Sequence, residues 1–201
     1  MKLIHKLGVS IAIVLGLNTS PCHGQILGVD FAAPGPLIIN GPYTVGFEFA
    51  VNTPIAVSGL ADWNPTAGGN EVGLWNVSGT LLASADVTTS SPTIGNADLN
   101  YTAIAPVVLS VGDYYVGAVA YSGESLTWNV SGMTTIPQIT YLTPEYAVGA
   151  TLTFPTAGAG GATTGYFGGD FVESAIPEPG TIGLLGLGIA SLVLFRRKIR
   201  V

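Results

Sequence analysis

The chain has 201 residues, with 12 Asp and Glu against six Lys and Arg, a formal net charge of −6, and one Cys. Every Lys and Arg lies at an end, at Lys2, Lys6, Arg196, Arg197, Lys198 and Arg200, and both His, His5 and His23, fall in the first 24 residues. From Gln25 to Ala175 there are eleven carboxylates and no cationic side chain, so nothing there can neutralise phosphates. This argues against nucleic acid and against anionic lipid surfaces as partners.

The opening stretch, "MKLIHKLGVSIAIVLGLNTSPCHGQ", sets Lys2 and Lys6 before an apolar run from Leu7 to about Leu17, followed by small and turn-forming residues. That is the layout of a secretory signal peptide over residues 1–24, with cleavage expected after Gly24. Ser20 and Pro21 are not the residues that lipid attachment at Cys22 would need. With the leader removed, the exported chain has no cysteine, so its fold must rest on core burial without disulfides.

Residues 25–175 show no long stretch of helical apolar spacing, and Gly, Pro, Thr, Ser and Asn recur at short intervals, a pattern of short strands and turns. In chain order, "YTVGFEFAV" puts Tyr43, Val45, Phe47, Phe49 and Val51 on one face. A strand near Ile55–Leu60 follows. "EVGLWNVSGTLLASADV" then reads as a hairpin turning at Ser78-Gly79, with Leu81, Ala83, Ala85 and Val87 inward. After a strand near Asn100–Ile104, "VVLSVGDYYVGAVAY" predicts a second hairpin turning at Gly112-Asp113, its second strand apolar on both faces and therefore central. Strands near Ser125–Val130, Gln138–Tyr141 and Thr151–Phe154 bring the expected number to about eight to ten. The expected fold class is all-β, a β-sandwich of jelly-roll-like form over residues 25–175, because short strands at about 8–12-residue spacing favour a sandwich over a barrel.

The chemistry open to this segment is narrow. Without His, Cys, Lys or Arg there is no Ser-His-Asp or Cys-His arrangement, no Schiff-base lysine and no arginine clamp. A two-carboxylate glycosidase is the one enzyme class that survives. The acids, however, are dispersed one per turn or strand as solubilising charges are, so the expectation is a non-enzymatic protein without catalytic residues. In "ADWNPTAGGNE", Asp62, Asn64, Asn70 and Glu71 place four oxygen donors on one Gly-rich loop, a donor set suited to Ca²⁺. The weightier alternative is a polar loop whose Asp and Asn support turns. Of Trp63, Trp75 and Trp128, Trp63 in the same loop is the best placed to stack on a sugar ring, although plain packing outweighs a ligand contact even there, and Trp75 alternates within a strand, which makes core packing its default.

The chain closes with "IPEPGTIGLLGLGIASLVLFRRKIRV". Gly180–Phe195 is uncharged and mostly apolar, and sixteen residues in a helix span about 24 Å against a hydrocarbon core of about 30 Å. Arg196, Arg197, Lys198 and Arg200 follow at once as a stop-transfer signal, placing the tail in the cytoplasm and the body outside. Hydropathy alone makes this a simple membrane anchor. Pro177-Glu178-Pro179 directly before it cannot enter a helix interior and holds an extended strip at the membrane face.

The triplet, the short apolar run and the basic end together resemble the PEP-CTERM sorting signal of Gram-negative bacteria, here over residues 176–201, with the motif at 176–179, the membrane segment at 180–195 and the tail at 196–201. The resemblance implies recognition of Pro177, Glu178 and Pro179 by an exosortase, an integral-membrane cysteine protease-like enzyme of organisms that make exopolysaccharide and biofilm. It further implies an inner-membrane intermediate and delivery to the cell surface or extracellular matrix. The body, through "YTVGFEFAVNTPIAVSGLADW", "EVGLWNVSGTLLASADV", "LSVGDYYVGAVAY" and "GYFGGDF", resembles an extracellular β-rich domain that recurs before such tails and has no assigned enzymatic activity. The expected role is structural or adhesive and associated with exopolysaccharide. A calcium-assisted carbohydrate-binding module and a plainly anchored surface protein are the alternatives.

Overall fold

The computed structural model describes residues 24–158 and 166–174. Residues 1–23 of the expected signal peptide, the Pro-Glu-Pro triplet, the apolar run and the basic tail lie outside the described residues, and with them the outer segments of the expected division at residues 24 and 175.

Sixteen strands run in chain order among the described residues. The first five are β1 (Ile26–Leu27), β2 (Val29–Asp30), β3 (Leu37–Asn40), β4 (Tyr43–Val51) and β5 (Ile55–Asp62). Next come β6 (Asn70–Asn76), β7 (Leu81–Val87), β8 (Thr93–Ile94), β9 (Leu99–Leu109), β10 (Gly112–Ala120) and β11 (Glu124–Trp128). The last are β12 (Thr134–Thr135), β13 (Ile139–Val148), β14 (Ala157–Gly158), β15 (Tyr166–Phe167) and β16 (Gly169–Ser174).

Two sheets dominate, one ordered β1-β16-β5-β9-β8 and the other β14-β13-β4-β10-β6-β7. A three-stranded sheet β15-β11-β3 and the pair β12-β2 complete the set, and every pairing is antiparallel. The all-β expectation is met.

One apolar core joins the two large sheets. Phe47, Phe49 and Val51 of β4, Val72 and Leu74 of β6, and Val116 and Ala118 of β10 belong to the same cluster as Val57 and Leu60 of β5, Leu99 and Leu109 of β9, and Phe171 and Val172 of β16. The Phe49 and Phe171 rings stack with centroids 4.7 Å apart, tying β4 to β16 across the sheets. Each buried Val, Leu or Phe of this set contributes about 1.5–3 kcal/mol of transfer free energy, and with no disulfide among these residues that burial is what the fold rests on. At Gly169 the sheets meet backbone to backbone, for a methyl group there would collide with the main chain of Gly117.

The alternation in β4 holds, with Phe47, Phe49 and Val51 buried on the inner side. The first hairpin also forms, β6 to β7. Asn76 Oδ1 accepts from the N–H groups of Ser78 (3.1 Å) and Thr80 (2.9 Å), and Gly79 adopts φ 81° in the turn. Its second strand, however, is bulged, because the register jumps from Leu74↔Ala83 to Trp75↔Leu81. The extra residue turns Leu82 toward the core and leaves Leu81 47% exposed, correcting the inward assignment of Leu81.

The second hairpin does not form. β9 pairs with β5 and β8, whereas β10 pairs with β4 and β6, so the turn before Gly112 carries the chain from one sheet to the other. β10 is nonetheless interior to its sheet, as its two apolar faces require. Thr151–Phe154 is not a strand either. Its Thr153 N–H donates to Thr44 Oγ1 at 3.0 Å, and Phe154 packs beside Tyr115 and Trp75 on the outer face of the six-stranded sheet. Trp75 is thereby buried, on the opposite side of that sheet from the main core.

Candidate functional site

Three strand ends converge where the loop 63–69 passes from the five-stranded to the six-stranded sheet. Asp62 is the last residue of β5, Asn70 the first of β6 and Glu124 the first of β11. Along β5, Leu60 faces the core, and period-2 alternation puts Asp62 on that side. Asn70 shares its side of β6 with the core residue Val72. Both polar side chains are consequently buried, Asp62 at 1% and Asn70 at 3% exposure.

Local hydrogen bonds fix Asn70. Its Oδ1 accepts from Thr66 N–H at 3.2 Å and Thr66 Oγ1 at 3.0 Å, and its Nδ2 donates to Glu124 Oε2 at 3.1 Å. The same Glu124 oxygen accepts from Tyr121 N–H at 2.9 Å, across a turn in which Gly123 has φ 90°. The loop itself is shaped by left-handed backbone at Asn64 (φ 60°) and Gly69 (φ 91°), conformations that Asn and Gly tolerate best.

Asp62 is different, because its Oδ2 is buried without a hydrogen-bond partner among the described residues. Burial pushes its carboxyl up to about 8; Asn70 and the Trp63 N–H pull the other way, and the negative Glu124 adds to the rise. Oδ1 lies 3.5 Å from where a Cβ on Gly168 would stand, so backbone closes that side.

The structure thus brings together Asp62 and Asn70 of the expected calcium set and adds Glu124, 54 residues beyond Asn70. Asn64 is exposed on the loop. Glu71 projects to the other side of β6 from Asn70, opposite Asp86 of β7. Trp63 is half-buried and packs against the core, with its N–H bonded to Gly168 O at 3.0 Å. Nothing in the sequence singled out Glu124. Among the described residues no three His, Cys, Asp or Glu gather at one point; this cluster has two carboxylates and an amide.

A second buried carboxylate offers a contrast. Asp170 of β16 is fully buried, and it accepts from Val29 N–H at 3.2 Å and Phe171 N–H at 2.7 Å. Burial still drives its carboxyl well above the usual range, against the pull of these two donors and aided by Asp30. It fastens β2 to β16.

A further pair of acids, Glu48 of β4 and Glu145 of β13, lies on the outer face of the six-stranded sheet beside Tyr115. Tyr115 stands opposite Glu48 in the register. Burial, then Glu48 through a hydrogen bond and its charge, raises Tyr115 to about 12. Glu145 is raised by burial and by Glu48. The Asp30 carboxylate, at the rim of a 400 Å³ groove, is already bonded by Phe31 N–H and the backbone and side chain of Asn96.

Residues 35–167, two thirds of the chain, match the family model described as Domain of unknown function (DUF4082). The chain belongs to the DUF4082 family. Residues 175–198 match the PEP-CTERM protein-sorting motif, so the expected resemblance at the C-terminus is correct. That motif implies an exported protein that is processed by an exosortase and sorted to the cell surface. No curated protein and no solved structure matches the chain. The DUF4082 match contains Asp62, Asn70 and Glu124 but ends before β16. Since β16 pairs with β5 and Asp170 binds the backbone ahead of the match, the folded unit extends past the DUF4082 boundaries on both sides.

Proposed function

We propose that this protein is a non-enzymatic structural or adhesive element of the cell surface or exopolysaccharide matrix. In this reading it is made as a precursor, held in the inner membrane by Gly180–Phe195 and released at Pro177-Glu178-Pro179. The observation that carries it is the sorting motif at 175–198 joined to a body with no Lys, Arg or His. Every cation serves targeting, and what remains after processing is a polyanionic domain. Two sheets over one core support a β-sandwich, and the alternation of β4, β5 and β6, and of β9 and β10, between those sheets supports jelly-roll-like wiring. Mass analysis of the mature protein from a producing strain tests the route. A C-terminus near the Pro-Glu-Pro triplet is expected; a final pool that retains Phe195–Val201 overturns processing in favour of a simple anchor.

A carbohydrate-binding role is the second reading, favoured by the half-buried Trp63 beside the Asp62 cluster and by Tyr115 among the outer-face acids. Glycan-array binding, with and without chelator, separates the two, and absence of binding in both conditions removes it.

A further inference from the structure

Asp62 Oδ2 is fully buried and has no hydrogen-bond partner among the described residues, and a buried carboxylate is costly unless something compensates its charge. No Lys, Arg or His exists between residues 25 and 175 to do so. The charge that reaches it is that of another acid, Glu124, which is held at the same junction by Asn70 Nδ2 at 3.1 Å and Tyr121 N–H at 2.9 Å. Those bonds engage Oε2 of Glu124 and fix the side chain at the end of β11, next to Asn70. Two carboxylates at one junction, from β5 and β11, one with an oxygen that no described residue engages, have no Lys, Arg or His of residues 25–175 to offset them.

We propose that Asp62 and Glu124 bind one divalent cation of the calcium class at the junction of β5, β6 and β11, with Asn70 as the positioning residue. The donors are hard oxygens, the preference of Ca²⁺ over softer metals. Two carboxylates can supply two to four of the 6–8 oxygens Ca²⁺ takes, leaving the remainder to water or backbone carbonyls. Asn64 and Glu71 are not members of the site. Because Asp62 ends one sheet's strand, Asn70 begins the other's and Glu124 begins the third's, the cation would clamp three sheets together. The site belongs to the folded domain and stands independently of the sorting route and of any glycan ligand.

The test is calcium titration of the full-length chain in detergent at matched ionic strength, followed by calorimetry and thermal unfolding, with terbium as a luminescent substitute. Trp63, adjacent in sequence to Asp62, serves as the terbium sensitiser. One saturable site is expected, with calcium displacing terbium and raising the unfolding midpoint, and chelator reversing both. Glu124→Gln, at a half-exposed position, and Asp62→Asn should each weaken binding at least tenfold, whereas Glu71→Gln should leave it within about twofold. Absence of a calcium-dependent shift and of sensitised terbium emission overturns the proposal. So does undiminished binding in Glu124→Gln, which remains informative even where Asp62→Asn fails to fold. A wild-type chain indifferent to calcium but stabilised by Asp62→Asn would show that a proton, not a metal, neutralises Asp62.

Discussion

Asp62 and Asp170 are a matched pair with different fates. Both are buried to within 1% of completely, on strands that pair with each other, β5 and β16. Asp170 is enclosed by two backbone N–H groups and so acts as a fastener between segments far apart in the chain. Asp62 keeps an oxygen with no partner among the described residues, and its carboxyl is pushed up further by the charge of another acid, Glu124. The difference shows that burial alone does not decide what a carboxylate does; how its oxygens are satisfied matters as well.

The largest expected effect comes from breaking the satisfied member. Asp170→Ala strands the buried Val29 and Phe171 N–H groups, and a loss of about 1–3 kcal/mol for each orphaned donor is expected in denaturant unfolding. Calcium should not change that loss. If Asp170→Ala is neutral, Asp170 is no fastener and the contrast with Asp62 collapses.

A smaller effect is the slope of stability with pH. The resolved carboxyl shifts, at Asp62, Glu145, Asp170 and Glu173, are all upward, each with burial as the leading cause. Between the unfolded values near 4 and the raised folded values, reaching about 8 at Asp62, the folded chain holds more protons than the unfolded one. Stability must therefore rise as pH falls through that window and be lost as pH rises, the reverse of a protein whose acids are salt-bridged. Unfolding in chelator from pH 8 to pH 5 checks this, and Glu145→Gln should flatten the slope in part. A stability maximum at or above pH 7 in chelator would count against it.

The smallest effect separates loop from site. Asn64→Gly keeps a residue that tolerates the left-handed φ of 60° and should shift the unfolding midpoint by only a few tenths of a kcal/mol equivalent. A large loss on that substitution would mean the Asn64 side chain is needed at the junction.

Some of this architecture was legible in one dimension because its causes are local. The alternation of Phe47, Phe49 and Val51, the Asn76 to Gly79 turn and the two apolar faces of β10 are written in neighbouring residues. The failures were equally physical. β9 takes β5 and β8 as partners and β10 takes β4 and β6, distant strands that the turn between them does not specify, and the bulge at Leu82 depends on its partner β6. Asp62 and Asn70 were visible as oxygen donors on one loop, but Glu71 and Asn64 looked equally good there, since composition does not say which side of a strand a donor takes.

The sequence by itself determined the charge segregation, the sorting motif and the all-β character, because those follow from residue identity, spacing and short-range periodicity. Only the tertiary structure decided that Glu124 bonds Asn70 at the end of the Asp62 loop, that Asp170 is satisfied, and that Asp62 Oδ2 has no partner among the described residues. Those facts depend on strands distant in the chain meeting at one point, where burial removes water and makes each missing hydrogen bond count.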